Sequence, residues 1–330
     1  MTHPFDIARR ALSAAILAMA LALAMPAAAD IPAEQMTETA VEDGSLRFHH
    51  LQQYDRGIEV LREQGPDVFH RIERSLAIEA FPTIDVWVLP RVADYFELQN
   101  VPNRAPEWAA GLSFSNKHTV IVAAGGERPP VEVMRTFAHE LAHVGVDVGR
   151  EGQFVPRWFN EGFATMMAQE WTPERSEKLS RAAAGGQLTP FHQLTDSFPA
   201  HHMSASLAYD QSFHFVRWMQ SEYGDDLYAR VFDRLRGGEA FRAALEAETG
   251  SPLGELEHRW KTQLESSTTF WSILSEENLI FFGAGVLFLI AYVVVRRRRR
   301  ESLESMSSDS DSDAEWDYDE SRYPLPGQSD

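Results

Sequence analysis

Apolar side chains recur at intervals of three and four through Val133, Phe137, Leu141 and Val144, the period of a helix with one buried face. Pro129-Pro130 stands where such a helix can begin, no further proline follows over 131–146, and Gly145 and Gly149 loosen the end. The pattern predicts a helix over 131–146. Ahead of it the period drops to two. Within 81–89, Ile84, Val86 and Val88 alternate with Asp85 and Trp87, the mark of a half-buried strand closed by Pro90, and 92–98 reads as a short helix. After a loop over 102–108, residues 111–115 and 119–123 read as two strands joined through Asn116-Lys117-His118, a hairpin directly before the long helix. Near the start, 46–48 suits a short strand and 51–78 is mainly helical, interrupted near Gly65-Pro66.

Beyond the long helix the pattern is almost wholly helical. A loop rich in glycine leads to Pro156 and a helix over 157–171; further helices are expected over 173–184, 204–223, 225–235, 239–248 and 253–264, separated by Gly185-Gly186, Gly224, Gly237-Gly238 and Gly250. Strands gathered first and helices afterwards indicate an α+β chain, and no internal repeat is present.

Two apolar runs stand outside this core. Arg9 and Arg10 precede an Ala/Leu/Ile/Met run over 11–25, and Ala27-Ala28-Ala29 supplies small residues before Asp30, so 1–29 read as a secretory signal and 30–44 as a loose start to the mature chain. The paired arginines faintly resemble a twin-arginine signal, and an uncleaved anchor helix is the alternative. Residues 279–295 form an uncharged run of seventeen, and Arg296 to Arg300 follow it. At about 1.5 Å per residue such a run reaches across a thin bilayer, and basic residues mark its cytoplasmic flank. A single transmembrane helix over 278–295 is therefore expected in preference to a buried core helix, preceded by a juxtamembrane linker over 266–277 with Trp271 at the interface. The expectation is a single-pass type I protein of the cell membrane, its folded part periplasmic or extracellular. The basic stop-transfer stretch and acidic tail, 296–330, cannot bury a core; the tail is either a solvated end or a docking segment for a cytosolic partner.

Composition narrows the function. Of 330 residues, 44% are hydrophobic and 11% aromatic, which excludes a disordered chain. The formal charge of −19 repels phosphate backbones and excludes nucleic acid as a partner. With no cysteine there are no disulfides, and any bound zinc must rest on histidine and carboxylate.

The long helix carries such residues. His139-Glu140-Leu141-Ala142-His143 matches H-E-x-x-H, in which imidazoles four apart share one helix face and can reach a single tetrahedral metal, with the glutamate beside it. The alternative is two ordinary polar histidines on a helix face. A catalytic zinc site needs a third protein ligand and an open position for water. Glu161, with seventeen residues between it and His143, is the candidate. In that scheme His139, His143 and Glu161 hold Zn2+, the metal acidifies water, and Glu140 takes the proton and passes it to the leaving amine. The exposed edge of the hairpin could pair with an extended peptide and hold the scissile bond there. Thr165 and Asp147, each one turn from a ligand, are candidates for orienting one. The adjacent pairs His49-His50 and His201-His202 diverge in any regular element and are assigned to the surface; His118 lies in the hairpin turn.

The two motifs together, His139 to His143 and then Trp158-Phe159-Asn160-Glu161-Gly162-Phe163-Ala164, resemble the gluzincin metallopeptidases, most of all the peptidase MA-like domain, with an echo of the M1 aminopeptidases. The similarity covers 45–265, and the spacer is slightly shorter than usual for M1 enzymes. It implies a zincin-like, thermolysin-like fold: a small mixed sheet with a hairpin, the active-site helix, and a mostly helical C-terminal half. It also implies Zn2+, a peptide or protein substrate, and Tyr209 as the group that stabilises the oxyanion; packing between helices is the other use of that tyrosine. One departure concerns substrate. M1 aminopeptidases carry G-x-M-E-N before the metal helix, whose glutamate binds the substrate amine, whereas this chain has Ala110-Gly111-Leu112-Ser113-Phe114-Ser115. An endopeptidase is expected. The competing reading is a catalytically silent peptidase fold serving as a binding scaffold at the membrane, which would have no need of Glu140.

Overall fold

Thr-Val-Ile-Val-Ala at Thr119–Ala123 has no polar face, and all five residues are buried, as a strand covered on both sides requires. The computed structural model describes residues 36–273, apart from 104, 107 and 127, and residues 286–296. Five strands, β1 (Met36–Ala40), β2 (Leu46–Leu51), β3 (Ile84–Leu89), β4 (Gly111–Phe114) and β5 (Thr119–Ala123), form one mixed sheet in the order β1-β2-β3-β5-β4. β2, β3 and β5 run parallel, with Phe48 opposite Val86 and Val86 opposite Val120; β1 and β4 are antiparallel edges.

Alternation divides the sheet between two cores. Phe48, Ile84, Val86, Val88, Val120 and Val122 point to the main one, which α1 (Asp55–Ser75) and α3 (Pro130–Gly149) share. Leu89, Ile121 and Ala123 face a smaller one roofed by Tyr95 and Phe96 of α2 (Val92–Leu98). Within the first 273 residues further α-helices follow: α4 (Arg157–Met167), α5 (Pro173–Ala184), α6 (His202–Tyr223), α7 (Leu227–Arg236), α8 (Phe241–Thr249) and α9 (Leu253–Ile273). The architecture is α+β, mostly helical with a small mixed sheet.

Several expectations are corrected. The segment over 30–44 is not uniformly loose, because β1 pairs along β2 from Met36–Leu51 to Ala40–Arg47. α1 is not interrupted at Gly65-Pro66: Pro66 lies inside it, and the burial of Ile58, Leu61, Phe69 and Ile72 outweighs the lost backbone bond. A Cβ on Gly65 would come 2.9 Å from Leu46 Cδ1, so that glycine permits the helix to approach the sheet. α3 continues past 146 to Gly149 because Gly145 packs against Ile72 and Gly149 against Phe232. α4 stops at Met167 rather than 171, and α9 runs to Ile273 through the start of the expected linker.

By its contacts the chain divides between Glu265 and Ser266. In the second unit residues 286–296 are helical with exposed apolar side chains, Leu287 and Phe288 among them. The expected span over 278–295 lies in part outside the described residues; the expected signal over 1–29 lies wholly outside them, as does all of 297–330. Among the described residues no helix is long and apolar enough to cross a membrane.

Candidate active site

α3 packs against β4, β5, α1 and α4 at once, with Val133, Phe137, Leu141 and Val144 buried. This leaves His139 and His143 on the side toward α4. α4 is clamped by Trp158, Phe159 and Phe163, all wholly buried, and Gly162 brings it to backbone contact with α6, where a Cβ would lie 2.6 Å from the Ser212 carbonyl oxygen. Glu161 is thereby turned back toward α3. His139, His143 and Glu161 offer ligand atoms within 4.8 Å of one another, the one such group of three among the described residues. Glu161 Oε2 is 3.8 Å from His139 Nε2 and 3.7 Å from His143 Nε2, and the two imidazole rings stand nearly perpendicular.

The chemistry of these donors suits a divalent metal, which requires neutral imidazoles and an ionised carboxylate. Burial, helped by the neighbouring His143 and by Arg175, pushes the His139 pKa down to about 3, so this ring is neutral at pH 7. His143 Nδ1 donates to Asn160 Oδ1 at 2.9 Å, which fixes the ring with Nε2 facing Glu161. Glu161 Oε1 is held by Arg157 Nη2 at 3.2 Å.

Glu140 sits beside the group and accepts from Ser113 Oγ at 2.8 Å. Burial raises its pKa; His143 and the Ser113 hydroxyl oppose that rise, while Glu161 and Glu170 add to it. Gly111 lets β4 come this close, because a Cβ there would be 2.6 Å from Thr136 Cγ2 and 2.7 Å from Glu140 Cγ. Tyr209, half-buried on α6, is within electrostatic reach of the same carboxylates: burial and Glu161 push its phenol up, and the adjacent Arg157 guanidinium pulls it down. Its ring meets Phe198 edge-on at 4.9 Å.

Neither residue expected to orient a ligand does so. Thr165 Oγ1 donates to the Glu161 backbone carbonyl, and Asp147 accepts from Arg150 Nε. The side-chain contacts to His143, Glu161 and Glu140 come instead from Asn160, Arg157 and Ser113 in turn. Asn160 could have been found from its place beside Glu161; Arg157 and Ser113 carry no signal short of the fold. The other histidines singled out in the sequence stand apart from the group: His49 stacks on Trp87 at 4.4 Å and bonds Asp85, His118 follows a short turn with φ 49°, and His201 and His202 are exposed, whereas His50, expected at the surface, is buried in the sheet and meets Thr39 Oγ1.

An α+β domain that turns two imidazoles and a carboxylate toward one point, next to a part-buried glutamate, has the make-up of a peptidase site. The sequence model described as the Peptidase MA superfamily matches residues 82–266, more than half of the chain, and the chain belongs to that superfamily. No curated protein matches it. The crystal structure of Legionella pneumophila aminopeptidase A in complex with aspartic acid is similar at a TM-score of 0.40 and 16% identity, covering 68% of this chain and 27% of that one. This chain thus spans about a quarter of that protein's length.

Proposed function

We propose that this chain is a zinc-dependent endopeptidase, held at the membrane by a helix over 278–295 with its folded domain outside the cytoplasm. The observation that carries the reading is the convergence of His139, His143 and Glu161 within 4.8 Å, beside Glu140. Those three residues would hold Zn2+, which when bound supplies Lewis acidity and an acidified water at neutral pH. Glu140, oriented by Ser113, takes the proton from the attacking water and delivers it to the leaving amine. The Tyr209 hydroxyl donates to the oxyanion that develops on the scissile carbonyl. Membership of the Peptidase MA superfamily supports peptide hydrolysis, and the thermolysin-like arrangement of the fold is part of the same proposal.

The endopeptidase assignment rests on residues 110–115, which contain no carboxylate to receive a substrate's free amine. The membrane assignment rests on the apolar run over 279–295 and the five arginines after it. A docking role for the acidic tail belongs to the same topology, with a cytosolic partner.

The test is metal content together with cleavage of an unfolded protein such as casein, for wild type and Glu140→Gln. The expected result is one zinc per chain in both, with cleavage lost in the variant. Stoichiometric zinc without any Glu140-dependent cleavage would favour the scaffold reading, and rapid release of single residues from free N-termini would contradict the endopeptidase assignment.

A further inference from the structure

Arg157 opens α4 one helical turn before Glu161, and nothing in the proposed chemistry uses it. Its backbone N–H donates to the Thr195 carbonyl at 2.8 Å, tying the start of the helix to the segment that carries Phe198. The guanidinium lies over the Phe198 ring, 5.3 Å from its centre, and that ring packs edge-on against Tyr209. On its other side Nη2 is 3.2 Å from Glu161 Oε1. One cation is therefore packed against both the carboxylate of the metal-ligand candidate and the aromatic pair that carries the candidate oxyanion donor.

The Glu161 carboxylate is divided between two sets of partners. Oε1 faces Arg157, whereas Oε2 faces the imidazoles at 3.8 and 3.7 Å. A surface ion pair would do little, but the Glu161 side chain is only 11% exposed, so its partner acts on a largely desolvated group. A guanidinium can only donate.

We propose that Arg157 is a positioning residue: it pins Oε1 of Glu161 so that Oε2 alone is presented to the metal. This rests on the zinc peptidase reading above. The planar fork of arginine fixes the direction of that contact, and lysine supplies the charge without the fork.

The experiment measures the Zn2+ dissociation constant of the full-length chain by chelator competition, for wild type, Arg157→Gln, Arg157→Ala and Arg157→Lys. Removing a group that orients a ligand weakens metal binding about 10- to 100-fold, and that loss is expected in Arg157→Gln and Arg157→Ala, with partial recovery in Arg157→Lys. A second readout, melting in chelator, is expected to remain cooperative in Arg157→Gln, which separates metal binding from folding. If Arg157→Ala fails to melt cooperatively in chelator, Arg157→Gln carries the comparison. A cooperatively melting Arg157→Gln with wild-type zinc affinity overturns the proposal and leaves the peptidase reading standing. Tight zinc binding that depends on Arg157, in a chain with no Glu140-dependent cleavage, supports the positioning role and overturns the peptidase reading instead. A wild-type chain that binds no zinc overturns both.

Discussion

Ser113 donates its hydroxyl to Glu140 Oε2 at 2.8 Å, joining the edge strand β4 to the helix that carries both imidazoles. The contact exists because Gly111, two residues earlier, lets the strand lie against Thr136 and Glu140 without a Cβ between them. A carboxylate held from the strand side cannot swing freely toward solvent.

Replacing Ser113 with alanine should therefore slow catalysis without releasing metal. A hydrogen bond to a charged group is worth about 1.5 to 3 kcal/mol, so kcat/KM is expected to fall about 10- to 100-fold. Steady-state kinetics on casein, with zinc measured on the same preparation, checks this. Normal turnover in Ser113→Ala would show that Glu140 is oriented by other contacts.

Asn160→Ala should act on the metal instead. Without Asn160 Oδ1 to accept from His143 Nδ1, neither the tautomer nor the ring plane of that imidazole is fixed, and zinc affinity should weaken about 10- to 100-fold. Chelator competition measures it. Unchanged affinity would mean that the helix backbone alone orients His143.

Gly162→Ala is predicted to be structural. The new Cβ would meet the Ser212 carbonyl oxygen at 2.6 Å and Val216 Cγ2 at 2.8 Å, and the first of these is backbone that cannot rotate away. Forcing α4 from α6 should cost about 3 kcal/mol, or a fall of about 10 °C in Tm. Calorimetry in chelator separates that loss from any change in metal binding; a Tm within error of wild type would contradict the close approach.

The turn between β1 and β2 should contribute to stability in a limited pH range. His70 is held between Glu73 Oε2 at 3.0 Å and Asp43 Oδ2 at 2.9 Å, and those carboxylates, Glu73 first, raise its pKa above 6.5. Its contribution is complete below the unfolded value and fades as pH rises through the raised folded one. Asp43, lowered mainly by Ser45, contributes above 3.8 and loses that contribution as pH falls through its depressed value. His70→Gln should therefore reduce Tm more near pH 5.5 than near pH 8.5, by an amount that shrinks with salt. Equal reductions at both pH values would rule out charge as the source.

Much of this molecule could be read along the chain, because its strongest signals are local. The two-residue alternation of Ile84, Val86 and Val88 gave β3, the stripe from Val133 to Val144 gave α3, and Pro173 to Ala184 gave α5 at both ends. The same periodicity set His139 and His143 on one face, and the Asn-Glu-Gly motif drew attention to Glu161. β1 escaped because its five residues are mostly exposed and its partner strand decides its conformation. α1 defied the Gly65-Pro66 signal because packing on the sheet exceeds the local cost of proline.

Sequence by itself settled the class of residues available for chemistry and the elements that bear them, since periodicity and motif spacing act over one or two helical turns. Tertiary structure decided which of them meet. Ser113 reaches Glu140 across 27 positions, and Arg157 meets both Glu161 and the Phe198 ring because α4 is pressed onto α3 and α6 by the burial of Trp158, Phe159 and Phe163. Contacts of that range depend on how helices and sheet share one core, and no local pattern of residues encodes them.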